Sequence, residues 1–155
     1  MDEKLLGQLR TLDRLYKESD RIYGEYAEHF GLSNTAFCVM YTLGHEPGEL
    51  TQNDICSAWM LPAQTVNSAV SGLAKRGLLR LEQIPGTKNR KKLVLTESGQ
   101  RMSRRIEGEI EEIERAALLG FSEAERESYL AMFERHLEYL KREKDRVFGE
   151  NGDTE

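Results

Sequence analysis

Cysteine, proline and tryptophan are scarce in this 155-residue chain, at two, three and one copies. Cys38 and Cys56 stand in no C-x-x-C spacing, so no disulfide framework is implied, and free thiols suit a reducing compartment. No apolar run approaches the roughly 20 residues that cross a bilayer. The first residues, MDEKLLGQLRTLDR, mix charges from the start and lack the apolar core of a signal peptide. A cytoplasmic protein with no membrane partner is the expectation. The chain also lacks a P-loop, a G-x-G-x-x-G run and a nucleophile elbow. His29, His45 and His136 lie far apart and share no ligand spacing, and Glu107, Glu109, Glu111 and Glu112 read as solvation of a helix face. These absences point away from an enzyme, with no metal and no cofactor.

Net charge is −5, which argues against a general polycation. The charge is segregated, however. Between Lys75 and Lys92 seven basic residues face one acid, Glu82, a local balance of +6 that leaves −11 for the rest of the chain. Such a division suits one face directed at phosphate and another at water or a protein partner.

The first helix is expected from about Lys4 to Phe30. Leu5, Leu9, Leu12, Tyr16, Ser19, Tyr23, Tyr26 and Phe30 step by fours and threes, a heptad seam broken only at Ser19, with Gly31 as the stop. The seam serves equally well a helix buried against its own domain and a dimer interface. Ser33 is expected to cap a second helix with Phe37, Met40, Tyr41 and Leu43 on its apolar face. The loop His45-Glu46-Pro47-Gly48 breaks it. Thr51 with Asp54 at N3 forms a loose capping box for a third helix, whose Ile55, Ala58 and Trp59 are expected to face inward, with Trp59 in the core.

A fourth helix is expected to start with Pro62 at N1 and end at Gly77. Val66, Ala69, Val70 and Leu73 make one stripe. The opposite face carries Gln64, Ser68, Ser71 and Lys75, flanked by Thr65 and Asn67, and no acid occurs from Gln64 to Arg76. Short hydrogen-bonding side chains without carboxylates suit base edges and do not repel phosphate. Strands are expected at Leu78–Ile84 and Lys91–Leu95. The turn between them, with Lys88, Asn89, Arg90 and the following Lys91, reads as a charged wing against the DNA backbone or minor groove. Thr96 is expected to cap a fifth helix bearing Met102, Ile106, Ile110 and Ile113 and ending at Gly120. Ser122 and Glu125 form a strict capping box for a sixth, bearing Leu130, Phe133, Leu137, Leu140 and Val147.

Helix, turn, helix and basic hairpin is the plan of a winged helix-turn-helix. The expected fold is mainly α, with a two-stranded wing and a helical dimerisation layer. Residues 33–99 would form the DNA-binding lobe, 1–32 and 100–148 the layer, and 149–155 a flexible tail. The layer follows from an excess of apolar stripe over what one small lobe covers.

In order and spacing, LTQNDI, QTVNSAVSGLAKRGLL and KKLVLTESG resemble the MarR family of bacterial transcription regulators, over nearly the whole chain. The resemblance implies a homodimer of six-helix subunits whose N- and C-terminal helices make the dimer. It also implies recognition helices in successive major grooves of a pseudo-palindrome, and repression relieved by small, often phenolic ligands or by thiol oxidation. Double-stranded DNA and a small aromatic effector are the partners it suggests. Clefts between lobes commonly hold ligands, and Tyr16, Tyr23, Tyr26 and Phe30 could wall one at the junction of layer and lobe, although dimer core is their simpler reading. Three departures stand out. Thr87-Lys88-Asn89-Arg90 lacks the acid that precedes Arg in many family wings, Pro62 replaces a common capping Ser, and the first helix has tyrosines without the cysteine of the thiol-sensing branch. A winged-helix interaction module without DNA binding and a redox sensor are the competing readings.

Overall fold

The computed structural model describes residues 2–149. Six helices and a two-stranded sheet follow in the order α1 (Glu3–His29), α2 (Asn34–His45), α3 (Gln52–Trp59), α4 (Ala63–Lys75), β1 (Leu79–Gln83), β2 (Lys91–Leu95), α5 (Glu97–Leu119) and α6 (Glu123–Gly149). The expected tail from Gly149 therefore loses its first residue to α6, and residues 150–155 lie outside the described residues. The chain divides into two compact units, one ending at Ile110 and the other beginning at Glu111.

Local signals place the helix ends. The Asp2 side chain accepts from Lys4 N at 3.0 Å and opens α1, and Ser33 accepts from Ala36 N at 3.2 Å to open α2. Both capping boxes form. Thr51 N donates to Asp54 Oδ2 at 2.7 Å, and Ser122 N donates to Glu125 Oε2 at 2.8 Å. Thr96 Oγ1 accepts from Gly99 N at 3.1 Å and starts α5. Pro62 departs from expectation: it is the N-cap of α4, with extended backbone and no side-chain bond, and Ala63 takes the first helical position.

The core of the first unit gathers Ala27 and Phe30 from the end of α1, Phe37, Val39 and Met40 from α2, and Ile55 from α3. Val66, Val70 and Leu73 from α4, Leu79 and Leu93 from the sheet, and Ile106 and Ile110 from α5 belong to it too, with Leu32, Ala36 and Leu78 at its edge. Periodicity located most of these residues. Two expectations fail on α3, where Ala58 is exposed and Trp59 is 41% exposed. An eight-residue helix presents little more than one inward position, and Ile55 occupies it. Of the α1 seam only Phe30 is buried, and Leu5, Leu9, Tyr16 and Tyr23 are exposed. On α6 no residue is buried, and Leu130, Phe133, Leu137 and Leu140 are exposed.

The strands pair antiparallel from Leu79 opposite Leu95 to Gln83 opposite Lys91. The loop before α3 ties the hairpin to the helices: Leu93 N donates to Leu50 O at 2.7 Å, and Thr51 bridges to Lys92. Gly77, at φ +70°, makes the left-handed step from α4 to β1 that a side chain would strain. Gly99 is constrained differently. A Cβ there would lie 1.8 Å from the Leu78 carbonyl oxygen, which already accepts from Thr96 N at 3.1 Å and is not free to retreat.

Two glycines of α5 should accordingly respond in opposite directions to alanine. Gly99→Ala should destabilise by about 1–3 kcal/mol through overpacking. Gly108→Ala, where nothing lies within 4 Å of the added carbon, should stabilise by up to about 1 kcal/mol through helix propensity. Thermal melts of the two variants beside the wild type check both signs.

Candidate nucleic-acid interface

All ten residues expected to face DNA are exposed: Gln64, Thr65, Asn67, Ser68, Ser71 and Lys75 on α4, and Lys88, Asn89, Arg90 and Lys91 at the wing. On α4 the reason is helical geometry. Val66, Val70 and Leu73 bury one face against α2 and α3, so Gln64, Ser68, Ser71 and Lys75, at steps of four, three and four, are carried outward together. No carboxylate lies on that helix.

The helix residues and the wing residues form two patches, each joined by residues that the sequence pattern did not assign to it. Thr65 and Ser68 border an open groove of about 390 Å³ whose other wall includes Ser33 and Thr35 at the start of α2, with Arg76 at one end. At the wing, Asn89, Arg90 and Lys91 share a recess of about 240 Å³ with Thr51, Gln52 and Asn53 at the start of α3. Gln52 and Asn53 had no signal of their own, since polar residues in a first helical turn are ordinary. Only the pairing of Thr51 with Lys92 brings them to the hairpin.

The basic segment divides into tied and untied cations. Lys92 pairs with Glu49, Arg80 with Glu82 at 2.7 Å, and Arg76 Nη1 donates to the Gly31 carbonyl at 3.0 Å. Among the described residues Lys88, Arg90 and Lys91 enter no ion pair within 4 Å. The turn presenting them is fixed internally. Ile84 N donates to Arg90 O at 2.9 Å, Thr87 Oγ1 donates to Ile84 O at 2.8 Å, and Gln83 Nε2 donates to Thr87 O at 2.8 Å.

The missing acid of the wing tip has a partial counterpart on α3. Hydrogen bonds from the Thr51 hydroxyl and backbone hold the Asp54 carboxyl below its usual range, and the positive charge of Arg90 adds to the effect. Away from the interface, burial pushes the Cys38 thiol above its usual range, which disfavours the reactive thiolate. Among the described residues no group of three or more His, Cys, Asp or Glu side chains is placed to hold a metal ion, and no helix is long and apolar enough to cross a membrane.

Comparison with known proteins bears on the family and the fold. The family model described as MarR family matches residues 30–88. The HTH-type transcriptional regulator PecS of Dickeya dadantii (strain 3937) is 30% identical over 142 residues, which cover 88% of this chain and 86% of PecS. A MarR family regulator from Neisseria meningitidis has a similar fold, with TM-score 0.74 and 26% identity over 93% of this chain and 98% of its own. A MarR family transcriptional regulator from Listeria monocytogenes, solved in complex with a 26mer DNA, gives 0.67 and 25% over 95% and 96%.

The depressed Asp54 carboxyl fixes a sign for acid stability. Its contribution is complete above the ordinary carboxylate value of about 4 and is lost as pH falls through the lower value of the folded state. Asp54→Asn keeps an acceptor for Thr51 without the charge. Paired melts should show the wild type more stable at neutral pH and its advantage shrinking as pH drops below about 4.

Proposed function

Because this chain belongs to the MarR family of transcriptional regulators, we propose that it is a dimeric repressor that reads a pseudo-palindromic operator in double-stranded DNA and is released from it by a small ligand. The observation that carries the DNA reading is the exposed, carboxylate-free face of α4 beside a wing whose Lys88, Arg90 and Lys91 are not consumed by internal ion pairs. Gln64, Asn67 and Ser68 enter the major groove and read base edges, with Thr65, Ser71 and Lys75 beside them. Lys88, Asn89, Arg90 and Lys91 hold the sugar-phosphate backbone, and Gln52 and Asn53 extend that contact from α3. The related Listeria protein carries DNA in its solved complex, which supports the same use of this fold.

Dimerisation is supported by the apolar side chains left uncovered on α1 and α6. A second copy would cover them, making residues 1–32 and 100–148 the dimerisation layer and 33–99 the DNA-binding lobe. The two-fold axis would then set the recognition helices about 34–36 Å apart, one turn of DNA. A ligand relieves repression only by favouring a spacing that no longer matches this one, and only to the extent of its differential affinity. Ligand release is preferred to thiol sensing because burial raises the Cys38 thiol above its usual range, which disfavours the reactive thiolate.

Binding measurements on selected DNA separate the two contact types. Alanine at Gln64, Asn67 or Ser68 should relax preference at particular base pairs, at about 1–3 kcal/mol for a good contact. Alanine at Lys88, Arg90 or Lys91 should weaken binding to all sequences and reduce the salt slope by roughly one phosphate each. Unchanged affinity and base preference in the α4 variants would move the reading surface elsewhere and favour an interaction module.

Sedimentation at micromolar concentration should give twice the chain mass. Leu137→Asp should lower both the dimer fraction and the melting temperature, since obligate dimers have little stable monomer. A monomer that still bound DNA tightly would contradict the shared layer.

A further inference from the structure

Trp59 is the one tryptophan of the chain, and nearly half of its surface is exposed. Its polar group is already satisfied. Indole Nε1 donates to Thr42 Oγ1 at 2.8 Å, and the Thr42 hydroxyl donates on to the Cys38 carbonyl at 2.8 Å. The indole thus needs no further hydrogen-bond partner, and what it offers a visitor is ring surface. Together with Tyr41, Thr42, His45, Glu46 and Ala58 it lines an open recess of about 180 Å³. The Tyr41 and His45 rings in that lining are stacked on one another, with centroids 4.4 Å apart and planes inclined by 20°.

The electrostatics of the recess favour one sign of charge. Two helices end there: Glu46 is the C-cap of α2 and Trp59 the last residue of α3, and helix C-termini carry partial negative charge. Glu46 is one of the lining residues, and Glu107 Oε1 stands 3.8 Å from Nδ1 of His45, another of them. Neither lysine nor arginine lines the recess. Ring faces attract cations as well. In volume the recess is close to a cavity of roughly 150 Å³ that accepts benzene, so its capacity is a single ring.

We propose that this recess at the C-terminal ends of α2 and α3 is a binding site for a small protonated aromatic amine, stacked on the exposed Trp59 ring with its ammonium group toward Glu46. The site is separate from the α4 face and the wing. It does not depend on the DNA reading, and a titration without DNA tests it alone.

Trp59 is its own reporter, because no other tryptophan contributes to the emission. Benzylamine, benzyl alcohol and benzoate are probes of one shape with positive, zero and negative charge. Titrating the full chain with each should give a saturable change in Trp59 emission for benzylamine. Benzyl alcohol should bind roughly fivefold more weakly, and benzoate should not saturate. Glu46→Gln, at an exposed position, should narrow the difference between amine and alcohol. Ala58→Phe, also exposed, should fill the recess and abolish saturation while leaving the circular dichroism unchanged. Should Ala58→Phe fail to fold, Glu46→Gln carries the test. Equal affinity for the three probes, an emission change that never saturates, or an amine preference undiminished by Glu46→Gln would each overturn the assignment.

Discussion

The orientation of α4 about its own axis is the constraint on which the proposed DNA-reading surface depends. Val66, Val70 and Leu73 are almost completely buried, and full burial of such side chains is worth about 1.5–3 kcal/mol each. The helix entry contributes little, because Pro62 makes no side-chain bond to the first turn, where a good N-cap is worth about 1 kcal/mol. Packing therefore outweighs capping in placing this helix. Rotating it by one residue, about 100°, would take Val70 out of the core and put polar side chains in its place. The outward direction of Gln64, Ser68, Ser71 and Lys75 is the remainder left by that burial.

The wing is held by a different kind of interaction. Its strands contribute few buried side chains, and Leu81 stays partly exposed. Hydrogen bonds from Leu93 to Leu50, the bridge from Thr51 to Lys92 and the pair of Lys92 with Glu49 tie the hairpin base to the start of α3. That attachment consumes charge. Lys92, Arg80 and Arg76 are engaged within the protein, so of the segment's cations outside these contacts Lys88, Arg90 and Lys91 stand at the tip and Lys75 on α4. The same attachment gives Asp54 a role beyond capping, because its carboxylate feels Arg90.

Much of the rest of the chain is helix surface still lacking a cover. The apolar stripes of α1 and α6 are regular enough to be read from periodicity, yet they are exposed in the single chain. A stripe of this kind states that a helix needs a partner without stating which. The α1 seam accordingly suited burial within the domain and a dimer interface alike, and only Phe30, at its last position, is buried in the chain's own core.

The sequence by itself determined the element order, both capping boxes, the α4 stripe and the exposure of ten polar and basic residues on α4 and the wing. These rest on neighbours within a few positions, where spacing and side-chain chemistry suffice. Tertiary structure alone decided four further things: Trp59 lies at the rim of a recess, Lys92 is bound to Glu49, Gln52 and Asn53 join the wing, and Gly99 admits no side chain. The physical reason is common to all four. Trp59 meets Thr42 across 17 positions, Lys92 meets Glu49 across 43, and Gly99 meets the Leu78 carbonyl across a hairpin. Contacts of that range are set by how the elements pack, and local pattern carries no record of them.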